Sequence, residues 1–354
     1  MNSHIRTRPR PHRLRAVASY ALAISITIVL AEVFLRLSIF LPFGHQIMVN
    51  DPRIGLRVVP GEMGSNSQGF RDTEHALSSA PDILFVGDSF LYGRLEAGPP
   101  FPQLVGDILA RRVANLAVPA SGPPEYARVV ETYTRGRGSA RAVVLGLYLG
   151  NDIHQSDARR VTRAFAGNAR MLPTATRIGL LRHDWYLWRV GEFLFRQFVP
   201  GPSCAIPGAP SPRRLHFARG ELSVYRAGAD FEDSYRNLAR ILSGIAKSLQ
   251  ANGIALLVIV QPTQIQIDPD FRHLVAACLG EKAANLDVDS PRRRVLDDLA
   301  KAGIAALDLT PAFSDKKTGD FFLANDTHWN ADGNRLVAEV IADYLRTQGP
   351  FREP

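Results

Sequence analysis

Two segments far apart in the sequence carry the side chains that a serine-dependent acyl transfer needs. Gly87–Ser89 follows an apolar run of strand length, and Asp326–Trp329 lies near the C-terminus. A serine hydroxyl is a weak nucleophile until an imidazole accepts its proton, and a carboxylate is needed to fix the tautomer of that imidazole. Ser89, His328 and Asp326 therefore predict a nucleophile, a base and an acid.

Two further segments offer hydrogen-bond donors for the oxyanion that forms when a serine attacks a carbonyl. Asn115–Gly122 is a turn of mostly small residues after a second apolar run, and its backbone N–H groups could face that oxygen. Gly150–Asp152 follows a third apolar run, and the side-chain amide of Asn151 could donate to the same atom. These segments predict an oxyanion hole beside the serine.

The elements that must position these segments follow from the pattern of apolar residues. Five apolar runs of strand length alternate with helical patterns; they lie at Ile83–Val86, Val113–Leu116, Ala142–Leu149, Ile254–Val260 and Ile304–Leu309. Such alternation predicts an α/β fold of three α/β/α layers with a mainly parallel central sheet. Ligands collect at the carboxyl edge of a parallel sheet, where all four segments are expected to meet.

The helix ends carry recognisable signals. Gly253 and Gly303 follow two of the helical patterns and predict helix stops. Asn330 or Asp332 is available as the N-cap of the last helix, directly after His328. The predicted domain spans residues 81–348.

The N-terminal region joins a basic leader to a long, mostly apolar stretch. Residues 1–15 contain five arginines and no acidic residue, and residues 16–41 carry only Glu32 and Arg36 as charges. A bilayer is crossed by about 20 helical residues, so residues 16–41 predict a transmembrane anchor. The positive leader predicts a globular part on the periplasmic side. A cleaved secretory signal is the alternative, and it also exports the catalytic part.

Several function classes are disfavoured by composition. The formal net charge of +8 falls to +3 without the leader, and no basic stripe interleaved with aromatics remains. Nucleic acid is therefore not an expected partner. No glycine-rich phosphate loop follows the first strand, and the histidines lack metal-ligand spacing. Neither a cofactor nor a metal is expected.

Two stretches depart from the alternating pattern. Residues 42–80 are rich in Gly, Pro and Asn and predict an extended lead-in. Residues 153–227 are rich in Arg, Pro and aromatics, with a cluster at Trp185–Trp188 and a hairpin predicted around Arg219 and Gly220. We interpret residues 153–227 as an insertion over the strand ends, either a lid or substrate platform or a packed excursion without function.

The cysteine content leaves one question open. The chain contains two cysteines, Cys204 and Cys278. In an oxidising compartment they could form a disulfide, and they could equally stay free.

In their order along the chain, the four segments resemble the SGNH or GDSL-type serine hydrolases, whose conserved blocks carry Ser, Gly, Asn and His. The resemblance covers residues 66–344 and implies a flavodoxin-like fold. It implies that Ser89 is the nucleophile, His328 the general base and Asp326 the orienting carboxylate. It also implies that Asn151 and the backbone N–H of Ser89 form the oxyanion hole.

Two departures from the family pattern concern the site. Ala120 stands where many members have the glycine of the second block, and Gly122 follows two residues later; both are predicted backbone donors to the oxyanion. The usual carboxylate lies three residues before the histidine, where this chain has Asn325, whereas Asp326 lies two before. The Asp-x-His-Trp form is similar to that of membrane-associated proteins that O-acetylate alginate and related exopolysaccharides.

The predicted function is a membrane-anchored SGNH-type serine esterase or O-acyltransferase, acting on acyl, above all acetyl, esters of an envelope or exported polysaccharide. Its expected partners are the membrane and an acylated carbohydrate or other ester. The resemblance adds a neighbouring membrane acyltransferase as acyl donor. Two alternatives stay open: a lipase or thioesterase for longer acyl chains, and an anchored glycan-binding or assembly protein without turnover.

Overall fold

The computed structural model describes residues 11–37, 47–74, 76–78, 80–135, 140–157, 203–314 and 321–351. The chain divides into two compact units: residues 1–46 with 173–199, and residues 47–172 with 200–354.

Helix α1 (Pro11–Leu37) is the described element of the first unit. Among the described residues, none of the helices is long and apolar enough to cross a membrane. The anchor at residues 16–41 stays a prediction.

The second unit contains a sheet of five parallel strands. These are β3 (Ile83–Val86), β4 (Val113–Asn115), β5 (Ala142–Tyr148), β6 (Ala255–Gln261) and β7 (Ala305–Asp308), arranged in the order β4-β3-β5-β6-β7. Every residue of β3 and β5 is buried. This burial explains why the sequence of each central strand is a continuous run of apolar residues rather than an alternation of apolar and polar residues.

Helices cover both faces of the sheet. They are α2 (Ser89–Tyr92), α3 (Phe101–Leu109), α4 (Pro123–Thr134), α5 (Asp152–Gln155), α6 (Pro212–Val224), α7 (Glu232–Ala251), α8 (Gln264–Ile267), α9 (Pro269–Cys278), α10 (Ser290–Lys301), α11 (Thr310–Ser314) and α12 (Ala331–Thr347). Short 3₁₀ turns lie at residues 62–64, 95–97 and 283–285.

Strand residues alternate between two apolar cores. Leu84 and Val86 join the core that contains α4, α7 and α10, whereas Ile83 and Phe85 join the core that contains α3 and α12. The alternation follows from the period of two in a strand. The predicted α/β class, with three layers and a mainly parallel sheet, is confirmed.

The lead-in is more ordered than the sequence predicts. Strands β1 (Met48–Asp51) and β2 (Gly55–Val58) form an antiparallel hairpin within the stretch predicted to be extended. Gly55, the first residue of β2, has a φ of +95°, which favours glycine.

The predicted insertion is described in part. Residues 158–202, including the cluster Trp185–Trp188, lie outside the described residues. The hairpin predicted around Arg219 and Gly220 is wrong, because both residues lie within helix α6. The physical reason is a helical stripe of buried apolar residues, Leu215, Ala218 and Leu222, which packs in a third core with α8 and α9.

Cys204 and Cys278 form a disulfide, which answers the question left open by the sequence. The bond joins the segment before α6 to the last residue of α9. It therefore fastens the start of α6 to the third core.

Candidate active site

Ser89 is the first residue of the short helix α2, immediately after strand β3. The Asp88 side chain caps this helix by accepting a hydrogen bond from the Phe90 N–H at 2.9 Å. A Cβ atom on Gly87 would lie 2.7 Å from the Leu91 side chain, so a larger residue in this strand-to-helix turn would have to displace Leu91. The turn projects Ser89 from the carboxyl edge of the sheet.

Two buried side chains brace the C-terminal end of α2. The Asn115 amide donates to the Leu91 carbonyl at 2.9 Å, and the Arg71 guanidinium donates to the carbonyls of Tyr92 at 3.2 Å and Gly98 at 2.6 Å. A helix of one turn has several unpaired carbonyl groups, and the bonds to Leu91 and Tyr92 satisfy two of them. The position of Ser89 is thus held from both ends of α2.

The three residues predicted to form a catalytic triad make a continuous chain of hydrogen bonds. Ser89 Oγ lies 2.8 Å from His328 Nε2, and His328 Nδ1 is hydrogen-bonded to Asp326 Oδ1. An ionised carboxylate accepts only, so Nδ1 carries the ring proton and Nε2 is left to accept from the serine hydroxyl. This arrangement can deprotonate Ser89 during attack on a carbonyl.

The surroundings of Asp326 keep it ionised. Burial alone would raise the pKa of Asp326, but the hydrogen bonds and charge of His328 and the charge of Arg94 outweigh it and hold that pKa below its ordinary value. Arg94 Nη2 lies 3.5 Å and Arg213 Nη2 3.3 Å from Asp326 Oδ2. The first arginine follows α2 and the second begins α6, so neither neighbours Asp326 in sequence.

The imidazole is also packed against aromatic rings. The His328 ring centroid lies 4.8 Å from that of Phe90, which itself stacks on Tyr148 at 4.0 Å. Trp329, after the histidine, packs against Phe90 at 5.0 Å and is 2% exposed. These contacts restrict the histidine to the orientation that faces Ser89.

Asn151 lies beside the serine at the end of the neighbouring strand. Its amide nitrogen donates one hydrogen to Asp88 Oδ2 at 3.0 Å, which leaves the second hydrogen available to a ligand. Within the described part of the chain, the backbone N–H of Ser89 has no hydrogen-bond partner. The structure therefore brings these two predicted oxyanion donors together.

The loop that carries Asn151 is fixed by its neighbour Asp152, which is fully buried. Asp152 accepts from the Tyr148 N–H at 2.8 Å and from the Tyr126 hydroxyl at 2.9 Å.

Burial also raises the pKa of Asp88, although the Asn151 amide and the Phe90 N–H favour its charged form. Asp88 therefore links the serine turn to the Asn151 loop rather than facing a substrate.

The prediction for Gly122 is corrected by the structure. Its N–H donates to Glu125 Oε2 at 3.0 Å at the start of α4, which is the one bond of a capping box that a glycine N-cap can make, so it is occupied in the folded chain. Helix α4 needs its first N–H groups satisfied, and this requirement takes the donor that the sequence assigned to the oxyanion.

Ala120 occupies an exposed turn with a φ of +59°. The Ser121 N–H donates to the Val118 carbonyl at 3.2 Å, and Pro119 precedes Ala120, as in a type II turn. The third position of such a turn favours glycine, because its φ is positive. Ala120 stays a predicted oxyanion donor.

Sequence reasoning missed the residues that support the site from α6. Arg213, Arg214 and Glu221 lie in the stretch interpreted as an insertion, and only the structure shows that two of them are buried. One signal was available, since Arg214 and Glu221 are seven residues apart and lie on the same helix face as the apolar stripe.

A comparison with known families finds one matching model. Residues 217–353 match the family described as "SGNH hydrolase-like domain, acetyltransferase AlgX". The matched range includes Asp326 and His328 and excludes Ser89.

Curated relatives are similar over part of the chain. Alginate biosynthesis protein AlgX of Pseudomonas aeruginosa is 28% identical over 134 residues, which are 37% of this chain and 27% of that protein. "Probable alginate O-acetylase AlgJ" of Pseudomonas fluorescens is 30% identical over 113 residues, which are 31% of this chain and 27% of that protein. The matched segment thus spans about a quarter of the length of each relative.

Among solved structures, a GDSL-like lipase from Bacteroides thetaiotaomicron aligns with 76% of this chain and 89% of that chain, at 8% identity and a TM-score of 0.38. The family match and the curated relatives confirm the predicted resemblance to SGNH proteins of exopolysaccharide O-acetylation. They agree with the predicted enzyme class, an SGNH-type esterase or O-acetyltransferase.

Proposed function

We propose that this chain, which carries an SGNH hydrolase-like domain, is a serine enzyme that transfers or hydrolyses acetyl groups on a polysaccharide outside the cytoplasm. The observation that carries the proposal is the hydrogen-bonded chain from Ser89 through His328 to Asp326. The names of the matched relatives support acetyl as the acyl group and a polysaccharide as the molecule that carries it.

The first half of the reaction forms an acyl-enzyme. Ser89 Oγ attacks the ester carbonyl carbon while its proton passes to His328 Nε2, and Asp326 stabilises the resulting imidazolium. The negative charge that develops on the carbonyl oxygen is held by the Ser89 N–H and the free hydrogen of the Asn151 amide. When the intermediate collapses, the bond to the leaving alcohol breaks and His328 protonates that alcohol.

The second half of the reaction regenerates the free hydroxyl of Ser89. His328, neutral again, removes a proton from the acceptor hydroxyl, which attacks the carbonyl carbon of acetyl-Ser89. The bond to Ser89 Oγ then breaks, and the imidazolium returns the proton to that oxygen. Water as the acceptor gives an esterase, and a sugar hydroxyl gives an O-acetyltransferase.

The proposed location is the outer side of the cytoplasmic membrane. The basic leader followed by a mostly apolar stretch supports it. The disulfide between Cys204 and Cys278 also supports it, because disulfides persist in oxidising compartments. A membrane acyltransferase as acetyl donor is part of the proposal. The alternative of longer acyl chains depends on the cluster at Trp185–Trp188, which lies outside the described residues.

The test is labelling of the full-length chain with a fluorophosphonate probe, followed by mass spectrometry of the labelled peptide. We expect an adduct on Ser89 that is lost in His328→Ala. Absence of labelling in folded wild-type protein would favour the non-catalytic glycan-binding alternative instead.

A second assay separates the two acceptors. The full-length chain is given p-nitrophenyl acetate with and without alginate oligosaccharides, and acetylated oligosaccharide is measured by mass spectrometry. Transfer that requires Ser89 supports the O-acetyltransferase, whereas nitrophenol release without transfer supports the esterase.

A further inference from the structure

A buried carboxylate lies directly behind the catalytic loop. Glu221 on α6 is 4% exposed, and its Oε1 accepts hydrogen bonds from the Tyr148 hydroxyl at 3.0 Å and from the Thr327 hydroxyl. The hydroxyls of Tyr148 and Thr327 are also 3.0 Å apart. Thr327 stands between Asp326 and His328 in the sequence, so this carboxylate contacts the catalytic loop at its centre.

The charge of Glu221 is balanced by a buried arginine. Arg214 Nη1 lies 3.5 Å from Glu221 Oε1, and the Arg214 side chain is 1% exposed. The same guanidinium donates to Gln264 at 3.2 Å and lies 4.6 Å above the Phe271 ring. A buried arginine without a carboxylate partner is strongly unfavourable, so the two residues hold each other in place.

The same carboxylate side chain packs against the loop that carries the proposed oxyanion donor. A Cβ atom on Gly150, the residue before Asn151, would lie 2.6 Å from the Tyr148 ring and 3.0 Å from Glu221 Cγ. Close approach of Tyr148 and Glu221 to this backbone is therefore possible only with glycine. Glu221 thus contacts both the Asn151 loop and the loop of Asp326 and His328.

We infer that Glu221, held by Arg214, is a positioning residue for the acyl transfer. It fixes the Thr327 hydroxyl and thereby sets the distance from His328 to Ser89 and to the Asn151 loop. The inference rests on the proposed function, because it assigns Glu221 a role in that reaction. Glu221 itself acts through Thr327 and not on the substrate.

A merely structural role would have a different signature. The apolar stripe of α6 and the disulfide already bind this helix to the third core. If Glu221 and Thr327 served stability alone, removing the Thr327 hydroxyl would lower the melting temperature and leave turnover of the folded enzyme unchanged. Misplacement of a catalytic group by about 1 Å, by contrast, costs up to about 100-fold in rate.

The experiment compares Thr327→Val with Thr327→Ser in the full-length chain. Valine keeps the shape of threonine and loses the hydroxyl, whereas serine keeps the hydroxyl. We expect Thr327→Val to lower kcat for p-nitrophenyl acetate by about 10- to 100-fold with KM little changed, and to slow fluorophosphonate labelling of Ser89 similarly. Thr327→Ser should keep both rates within about threefold of wild type.

Glu221→Gln is the complementary variant. It leaves Arg214 without its carboxylate and is expected to lower stability as well as kcat, so Thr327→Val carries the test if Glu221→Gln does not fold. In the double variant Thr327→Val with Glu221→Gln, the loss in kcat should be far smaller than the product of the two single losses, because both remove one interaction.

Two results would overturn the inference. Thr327→Val with wild-type kcat and labelling rate but a lower melting temperature would show that the network is structural only. Thr327→Ser as slow as Thr327→Val would show that the hydroxyl is not the operative group. Failure of the proposed function would give a different result: Ser89 of the wild-type protein would not be labelled, and the wild-type protein would not turn over acetyl esters.

Discussion

On one side of Ser89, side chains from distant elements converge on the catalytic loop and contact it through hydrogen bonds and ion pairs. His328 and Asp326 bond to each other, and two arginines, Arg94 and Arg213, lie against Asp326. Glu221 accepts a hydrogen bond from Thr327, which stands between Asp326 and His328. On the other side, the turn at residues 118–122 works through its backbone, and one of its N–H groups already caps a helix. The first side is held by contacts between side chains, whereas the second depends on local backbone geometry. Chemistry on the first side should therefore be sensitive to side-chain changes, and on the second to backbone conformation.

The largest effect is expected from Asp326→Asn. The amide can hold the imidazole in the wrong tautomer and cannot stabilise its charged form, so kcat for acetyl-ester hydrolysis should fall by about 10⁴-fold. Steady-state kinetics with p-nitrophenyl acetate measure the loss. A loss below tenfold would mean that Asp326 is not the orienting carboxylate.

A smaller loss is expected at Asn151, where the two sides meet. Removal of one oxyanion donor costs about 10²- to 10³-fold in kcat, and Asn151→Ala should show this with fluorophosphonate labelling of Ser89 still detectable. The matched control is Asn252→Ala, a change in the turn between α7 and β6, where β6 begins, far from the carboxyl edge that carries Asn151; it should leave kcat unchanged. If both variants behave alike, Asn151 does not contact the oxyanion.

A third prediction concerns how the stability of the fold depends on pH through Asp326, on the first side of Ser89. The pKa of Asp326 is lower in the folded chain than its ordinary value, so its ionised form stabilises the fold above a pH of about 4. This contribution is lost as the pH falls from about 4 toward the lowered folded pKa. Melting temperatures of wild type and Asp326→Asn should therefore converge as the pH falls below about 4. Parallel curves would contradict the lowered pKa.

The smallest effect is expected at Ala120, on the backbone side. A left-handed conformation costs a residue other than glycine about 1–2 kcal/mol, partly offset by the greater flexibility of glycine in the unfolded chain. Ala120→Gly should therefore raise the free energy of unfolding by up to about 1 kcal/mol and change kcat by less than about threefold. Chemical denaturation measures the first quantity. Destabilisation would show that the turn does not strain Ala120.

Much of the fold was predictable because its signals are local. The central strands are buried on both faces and so read as continuous apolar runs, and Gly253 and Gly303 adopt positive φ after their helices as predicted. Asn330, one of two candidate caps, accepts from the Gly333 N–H at 3.0 Å. Helix α6 was not predicted, because its charged residues and Gly220 obscure the apolar stripe.

The residue types by themselves determined which groups can do the chemistry: a serine after a strand, a histidine with a nearby carboxylate, and an asparagine at a third strand end. The carboxyl ends of parallel strands lie at one edge of the sheet, so the sequence also predicted that these catalytic groups lie close together. Only the tertiary structure decided which charged side chains lie against the catalytic carboxylate, as the contacts of Arg94 and Arg213 with Asp326 illustrate. It also placed Arg214 and Glu221 behind the catalytic loop. The physical reason is that hydrogen-bond partners and burial depend on contacts between segments distant in sequence, which no local pattern encodes.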